Sequence, residues 1–118
     1  MILDFYDKSG TPIAYSDDGE HIYTFGGKPV GYFSSGSVYA FSGKHLGRFE
    51  NGLLRDNKGN VALFSQEASE GPIKPIKQIK PIKGIKQIRP VKGIKQIKPI
   101  KPISTLGWSP LSGKQFFL

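Results

Sequence analysis

Ile22-Tyr-Thr-Phe-Gly-Gly-Lys-Pro-Val-Gly-Tyr-Phe-Ser-Ser-Gly36 is followed, sixteen residues on and without a gap, by Val38-Tyr-Ala-Phe-Ser-Gly-Lys-His-Leu-Gly-Arg-Phe-Glu-Asn-Gly52. About half of the aligned positions match, which marks an internal repeat, the first thing to settle in a short chain. Two weaker copies flank the pair. Phe5 to Gly19 aligns upstream at an offset of seventeen, and Leu54 to Phe64 aligns downstream if one turn residue is deleted. The repeat units are therefore 3–19, 20–36, 37–52 and 53–65.

Each unit reads as strand, tight turn, strand. Tyr23 and Phe25 alternate with Ile22 and Thr24, the period of two that a half-buried strand shows. Gly10, Gly27, Gly43 and Gly59 fall in the turn, where positive φ is needed. Gly19, Gly36 and Gly52 close the first three units. A second column, Ala14, Gly31, Gly47 and Ala62, stays small between large neighbours. It implies close approach where the units converge on an axis, or else a set of bulges.

One hairpin is marginal in water, whereas four in sequence can bury a shared face. Ring closure also limits exposed sheet edges. The expected fold is all-β: a shallow symmetric barrel of about four hairpins over residues 1–70, with a short open solenoid as the alternative. The composition agrees, with 15 Gly, 9 Pro and 14 aromatic residues in 118. No cysteine is present, so disulfides and Cys-based metal sites are excluded. Met1-Ile2-Leu3-Asp4 has no basic or apolar leader character, and no run of about 18 apolar residues occurs. A cytoplasmic chain is expected, peripheral at the inner membrane if it meets lipid.

From Pro72 to Ile103 the pattern changes to x-Ile-Lys. Ile or Val stands at every third position from 73 to 103, and Pro, Gln or Gly fills the remaining place. The cations are Lys74, Lys77, Lys80, Lys83, Lys86, Arg89, Lys92, Lys95, Lys98 and Lys101. The segment alone carries +10 and the rest of the chain −2, giving the net +8. A period of three suits neither helix nor strand, and recurrent Pro forbids a helix interior. A polyproline II or disordered segment over 71–104 is expected. As polyproline II it would gather Ile on one edge and Lys on another, and would reach about 100 Å.

Four readings of this tract compete: a linker, a tether to anionic lipid, a contact to nucleic-acid phosphates, or a cover laid by its Ile edge over the petals' apolar face. Nucleic acid is the weaker partner, because the tract has no aromatic to stack on bases. Its ten cations are the candidate anion-binding residues. Residues 105–118 turn apolar again and read as a strand or tail returning to the β domain.

The Y-x-F-x-G-K-x-x-G-x-F-x-x-G units, the Lys-Pro-Ile-Lys tract and the Ser-Gly-Lys-Gln-Phe-Phe end together resemble a bacterial four-fold β-flower family. The resemblance covers essentially the whole chain. It implies a shallow barrel of hairpin petals, distantly similar to the tubby C-terminal fold, whose members bind phosphoinositides or membranes. The family itself implies no activity. The fourth unit departs from the pattern by lacking first-strand aromatics.

No catalytic set is readable, and no enzyme or cofactor is expected. His21 and His45 are read as exposed strand or turn residues, since without Cys they form no usual zinc set. Asp17-Asp18-Gly19 and Asp56-Asn57-Lys58-Gly59 are acidic turns that fall short of an EF-hand. Gly26-Gly27-Lys28-Pro29 lacks the spacing and the Ser/Thr of a P-loop.

Overall fold

A computed structural model describes residues 2–118; Met1, where the N-terminal reading begins, lies outside the described residues. Gly10, Gly27, Gly43 and Gly59 all have positive φ, between +81° and +100°. Each donates its N–H to the carbonyl three residues earlier: Asp7, Thr24, Ala40 and Asp56. These identical turns make four hairpins. They join β1 (Leu3–Tyr6) to β2 (Pro12–Ser16), β3 (His21–Thr24) to β4 (Pro29–Ser34), β5 (Ser37–Tyr39) to β6 (His45–Glu50), and β7 (Leu53–Asp56) to β8 (Val61–Ser65). Between petals, Ser35-Gly36 and Asn51-Gly52 take positive φ at both residues, the two-residue turn that suits twisted strands. All eight strands pair antiparallel in chain order, and β8 returns to β1 through Phe5–Ser65 and Tyr6–Phe64. The barrel is closed, so no strand edge is left to template aggregation.

Each hairpin carries one bulge. It falls at Ile13, Val30 and Leu46 in the first three units, and at Ala62 in the fourth, where Leu54 faces Leu63 and Arg55 faces Val61. Counted from the turn glycine, the fourth unit needs no deletion. The small column is corrected accordingly: Leu63, not Ala62, stands with Ala14, Gly31 and Gly47. Side-chain likeness (Val61-Ala62 for Val30-Gly31) suggested the slipped alignment, whereas hydrogen bonding counts from Gly59. The column's meaning also changes. A Cβ on Gly31 would lie 2.9 Å from the Tyr39 carbonyl oxygen, and one on Gly47 would meet the Arg55 carbonyl. The close approach is between neighbouring petals, not at a common axis.

Phe5, Ile22, Val38 and Leu54 point inward from the first strands and form one cluster with Ile13, Leu46 and Leu63. The expected C-terminal strand amounts to a single parallel bridge from Trp108 to Val61. Pro110 then offers no N–H, Gly113 turns at φ +102°, and a 3-10 turn (Lys114–Phe117) follows. That turn buries Phe116 in the main core at 2% exposure.

The histidines are not exposed, because their petals fold over them. His21 is buried beside Asp18, 2.7 Å from Nδ1 to Oδ2. His45 is 2% exposed. Asn57 donates its amide to the His45 carbonyl (2.9 Å), so its oxygen accepts from His45 Nδ1–H (2.7 Å), and Nε2 accepts from the Ser37 hydroxyl (2.9 Å). Burial holds the His45 ring below the usual imidazole range; the Asn57 bond opposes this, while Arg48 and Lys98 add to it. The unfolded chain therefore binds this proton more readily than the folded one. Stability from this group is present above a pH of about 6.5 and declines as pH falls below it. We expect urea midpoints to drop between pH 7.5 and 5.5, with a smaller drop in His45→Gln. An equal drop in both chains would discount His45.

Candidate functional site

The tract takes neither helix nor strand. It repeats with a nine-residue period inside the period of three: Pro81, Pro90 and Pro99 recur, as do Gln78, Gln87 and Gln96. The backbone N–H groups of Gln78, Gln87, Gln96 and Thr105 donate to the carbonyls of Gly10, Gly27, Gly43 and Gly59 at 2.9, 2.8, 2.8 and 3.1 Å. One nine-residue unit thus spans one petal. The circuit starts at Gly71, against Leu53 and Val61 of the fourth petal, and ends on that petal's turn. The lengths agree. Residues 72–103, fully extended, reach about 100–115 Å, and a disc of 36 × 35 Å has a perimeter of about 110 Å. The tract is a belt.

Two of its three edges face the petals. The Pro/Gln/Gly edge lies on the hairpin turns, where Gly84 and Gly93 donate to the carbonyls of Phe25 and Phe41, both at 2.7 Å. A Cβ on Gly84 would lie 2.5 Å from the Gly26 carbonyl oxygen. The equivalent places at petals one and four hold Pro75 and Pro102, which carry no N–H.

The cation edge crosses the seams between petals. Three seams are aromatic pairs: Tyr15–Tyr23, Tyr32–Tyr39 and Tyr6–Phe64. Lys83 sits 4.5 Å over Tyr15, Lys86 5.1 Å over Tyr23, Lys92 4.5 Å over Tyr32, Lys95 6.0 Å over Tyr39 and Lys77 5.9 Å over Tyr6. Ion pairs join Lys80 to Asp4 (2.8 Å), Lys86 to Asp17 (2.6 Å), Lys92 to Glu20 (3.0 Å) and Lys101 to Glu50 (2.6 Å). Arg89 donates to the Tyr23 hydroxyl, Lys98 to the Ser35 carbonyl, and Lys74 to the Glu70 carbonyl. All ten expected anion-binding cations therefore have partners on their own chain. Each contact is individually weak at such exposure, but the contacts repeat along the whole belt.

The fourth seam holds Arg48 opposite Arg55. There the polarity inverts. Arg48 donates to the Pro99 carbonyl (2.5 Å) and Arg55 to the Thr105 carbonyl (2.6 Å). Ser104 stands where Lys77, Lys86 and Lys95 recur at nine-residue spacing.

The third edge is isoleucine, and it faces solvent. All eleven Ile/Val side chains of the belt are 89–97% exposed. The expectation that this edge covers the petals is overturned. The seam rings lie beneath lysines and Phe116 plugs the core, so the wall the belt crosses engages its cation edge and not its Ile edge.

Two depressions flank the C-terminal turn. The larger, about 720 Å³, lies between Phe25, Val30, Phe41, Pro81, Pro90 and Phe117; the smaller is about 320 Å³, beside His45 and Phe116. Among the described residues no group of three or more His, Asp or Glu is placed to hold a metal ion. Nor, among them, is any helix long and apolar enough to cross a membrane. The nine-residue period and the Ser104 break were readable signals that the period of three concealed. The outward Ile edge had no sequence signal.

A family model described as "4-fold beta flower protein" matches residues 3–117. No curated protein and no solved structure matches the chain.

Proposed function

The chain belongs to the 4-fold beta flower family, and from that footing we propose that it is a non-enzymatic docking module for anionic membrane surfaces. One observation carries the reading: eleven branched apolar side chains stand 89–97% exposed along a strip whose other residues include ten cations. A lipid interface accommodates both kinds, with the acyl boundary taking Ile and headgroup phosphates meeting Lys. The cation heads are not sealed. Lys80, Lys86, Lys92 and Lys101 keep 39–56% of their side-chain surface exposed, so each can exchange its carboxylate for a lipid phosphate. A flat bilayer meets one arc of the rim at a time, and each nine-residue unit offers three apolar residues and three cations. A nucleic-acid backbone would take the cations but give the isoleucines nothing to bury against.

The test keeps the belt's backbone preference. Replacing all eleven Ile/Val by Thr retains β-branching and removes the apolar edge. We expect the wild-type chain to co-sediment with phosphatidylcholine vesicles containing phosphatidylglycerol, and the Thr belt to bind at least tenfold more weakly. Equal sedimentation of the two chains, or none by the wild type, would sink the reading. Low-salt binding to a DNA duplex that survives the Thr belt would favour nucleic acid instead.

A further inference from the structure

We infer that the larger depression, about 720 Å³, is a binding site for a hydrocarbon amphiphile with an anionic head, of the medium-chain aliphatic carboxylate class. It lies where the four-fold rule of the hairpin turns breaks. Two places before the turn glycine, petals two and three carry Phe25 and Phe41, whereas petals one and four carry Lys8 and Asn57. The polar pair is committed. The Lys8 N–H donates to the Ser112 hydroxyl at 3.0 Å, and Asn57 holds the buried His45. The C-terminal segment runs over petals four and one, through the Trp108–Val61 bridge, the Ser109–Asp56 hydrogen bond and Ser112. It then sends Phe116 into the core and leaves a hollow against petals two and three. Phe25, Val30, Phe41 and Phe117 supply the apolar wall. Small-molecule sites usually enclose about 300–1,000 Å³, and this one falls within that range.

The charge at the hollow has one sign. Lys28 and Lys114 line it, and no Asp or Glu does. Among the described residues every lysine–carboxylate ion pair belongs to the belt, at Lys80, Lys86, Lys92 and Lys101. Lys44 is the petal-three equivalent of Lys28, one place after the turn glycine. Its ammonium donates to the oxygen of Leu118, a residue that also lines the hollow, at 3.0 Å. A turn lysine thus already meets an oxygen acceptor beside this apolar wall, and among the described residues the ammonium groups of Lys28 and Lys114 have no such acceptor. The two hydroxyls of the lining are engaged in their own turns: Thr24 Oγ1 accepts from the Lys28 N–H at 3.2 Å, and Ser42 Oγ from the Lys44 N–H at 3.4 Å. The wall therefore favours a hydrocarbon tail, which gains by leaving water. The lysines favour a carboxylate head, since hydrogen bonds between opposite charges are the strong ones.

The site stands apart from the membrane reading, because the belt lends it only Pro81 and Pro90 and none of its Ile or Val. The intact wild-type chain is titrated with decanoate at fixed ionic strength, with decanol as the uncharged probe. We expect one saturable site, with nuclear Overhauser contacts from the ligand to the rings of Phe25, Phe41 and Phe117 and none to Phe49. Decanol should bind the wild type about tenfold more weakly, the scale of one lost charge-assisted hydrogen bond. The Lys28→Gln/Lys114→Gln chain should lose decanoate affinity by a similar factor. Both lysines are exposed, so this variant is expected to keep the wild-type unfolding midpoint. The Thr-belt chain should keep decanoate binding even if it loses vesicle binding. Uptake that does not saturate, or ring contacts outside the hollow, overturns the site. So does decanol bound as tightly as decanoate, and so does decanoate binding that the lysine variant retains in full or the Thr belt abolishes.

Discussion

Gly47→Ala is expected to cost about 3 kcal/mol or more, a large share of the roughly 5–15 kcal/mol that holds a domain folded. The cause is not backbone conformation, since Gly47 has no positive φ. It is the neighbour. The added methyl would fall on the Arg55 carbonyl and within 3.2 Å of Asp56 Cα. Both belong to the backbone of β7, where Asp56 lies opposite Gly47 in register. No flexible side chain can move aside, so the two strands must part and lose ladder hydrogen bonds. Gly36→Ala is the control. A Cβ there meets nothing within 4 Å, and only its φ of +79° is strained, at a cost of about 1–2 kcal/mol. Guanidinium unfolding of both variants with a shared slope decides the matter. If Gly47→Ala costs no more than Gly36→Ala, the seam is looser than its geometry requires.

Phe116→Ala is expected to cost about 3 kcal/mol, within the range for emptying a buried phenylalanine site. The side chain is 2% exposed and packs with Phe5, Ile22, Val38 and Leu54, the inward residues of all four petals. It lies in the short 3-10 turn Lys114–Phe117, outside every strand of the barrel. Trp108, the only tryptophan, packs on Phe64 at 5.9 Å and reports on the docked segment. We expect the variant's fluorescence to move toward that of an exposed indole, together with a lowered unfolding midpoint. A midpoint within about 0.5 kcal/mol of wild type would show the C-terminal turn to be an appendage.

The four hairpins and their turns were legible because they rest on local chemistry. Gly10, Gly27, Gly43 and Gly59 announce positive φ, and alternation beside them announces strands. The fourth petal was legible as a hairpin but not in register. Val61-Ala62-Leu63 resembles its counterparts by side chain, and only the ladder shows that Ala62 is the bulge. The belt's two chemical edges could also be read, since a period of three must segregate Ile from Lys.

What no residue pattern carried was which edge turns inward. Ile was the natural candidate for burial and Lys for solvent, yet the structure reverses them. The outer wall the belt lies against is assembled from Tyr15, Tyr23, Tyr32 and Tyr39, whose ring faces attract cations, and from Asp4, Asp17, Glu20 and Glu50, which pair with them. Those groups come together only when eight strands close into a ring, some fifty to eighty residues away in sequence from the lysines they hold. The sequence by itself determined the repeat, the turns and the amphipathic belt. The tertiary structure decided the orientation of the belt, because the surface that selects an edge does not exist until the barrel has closed.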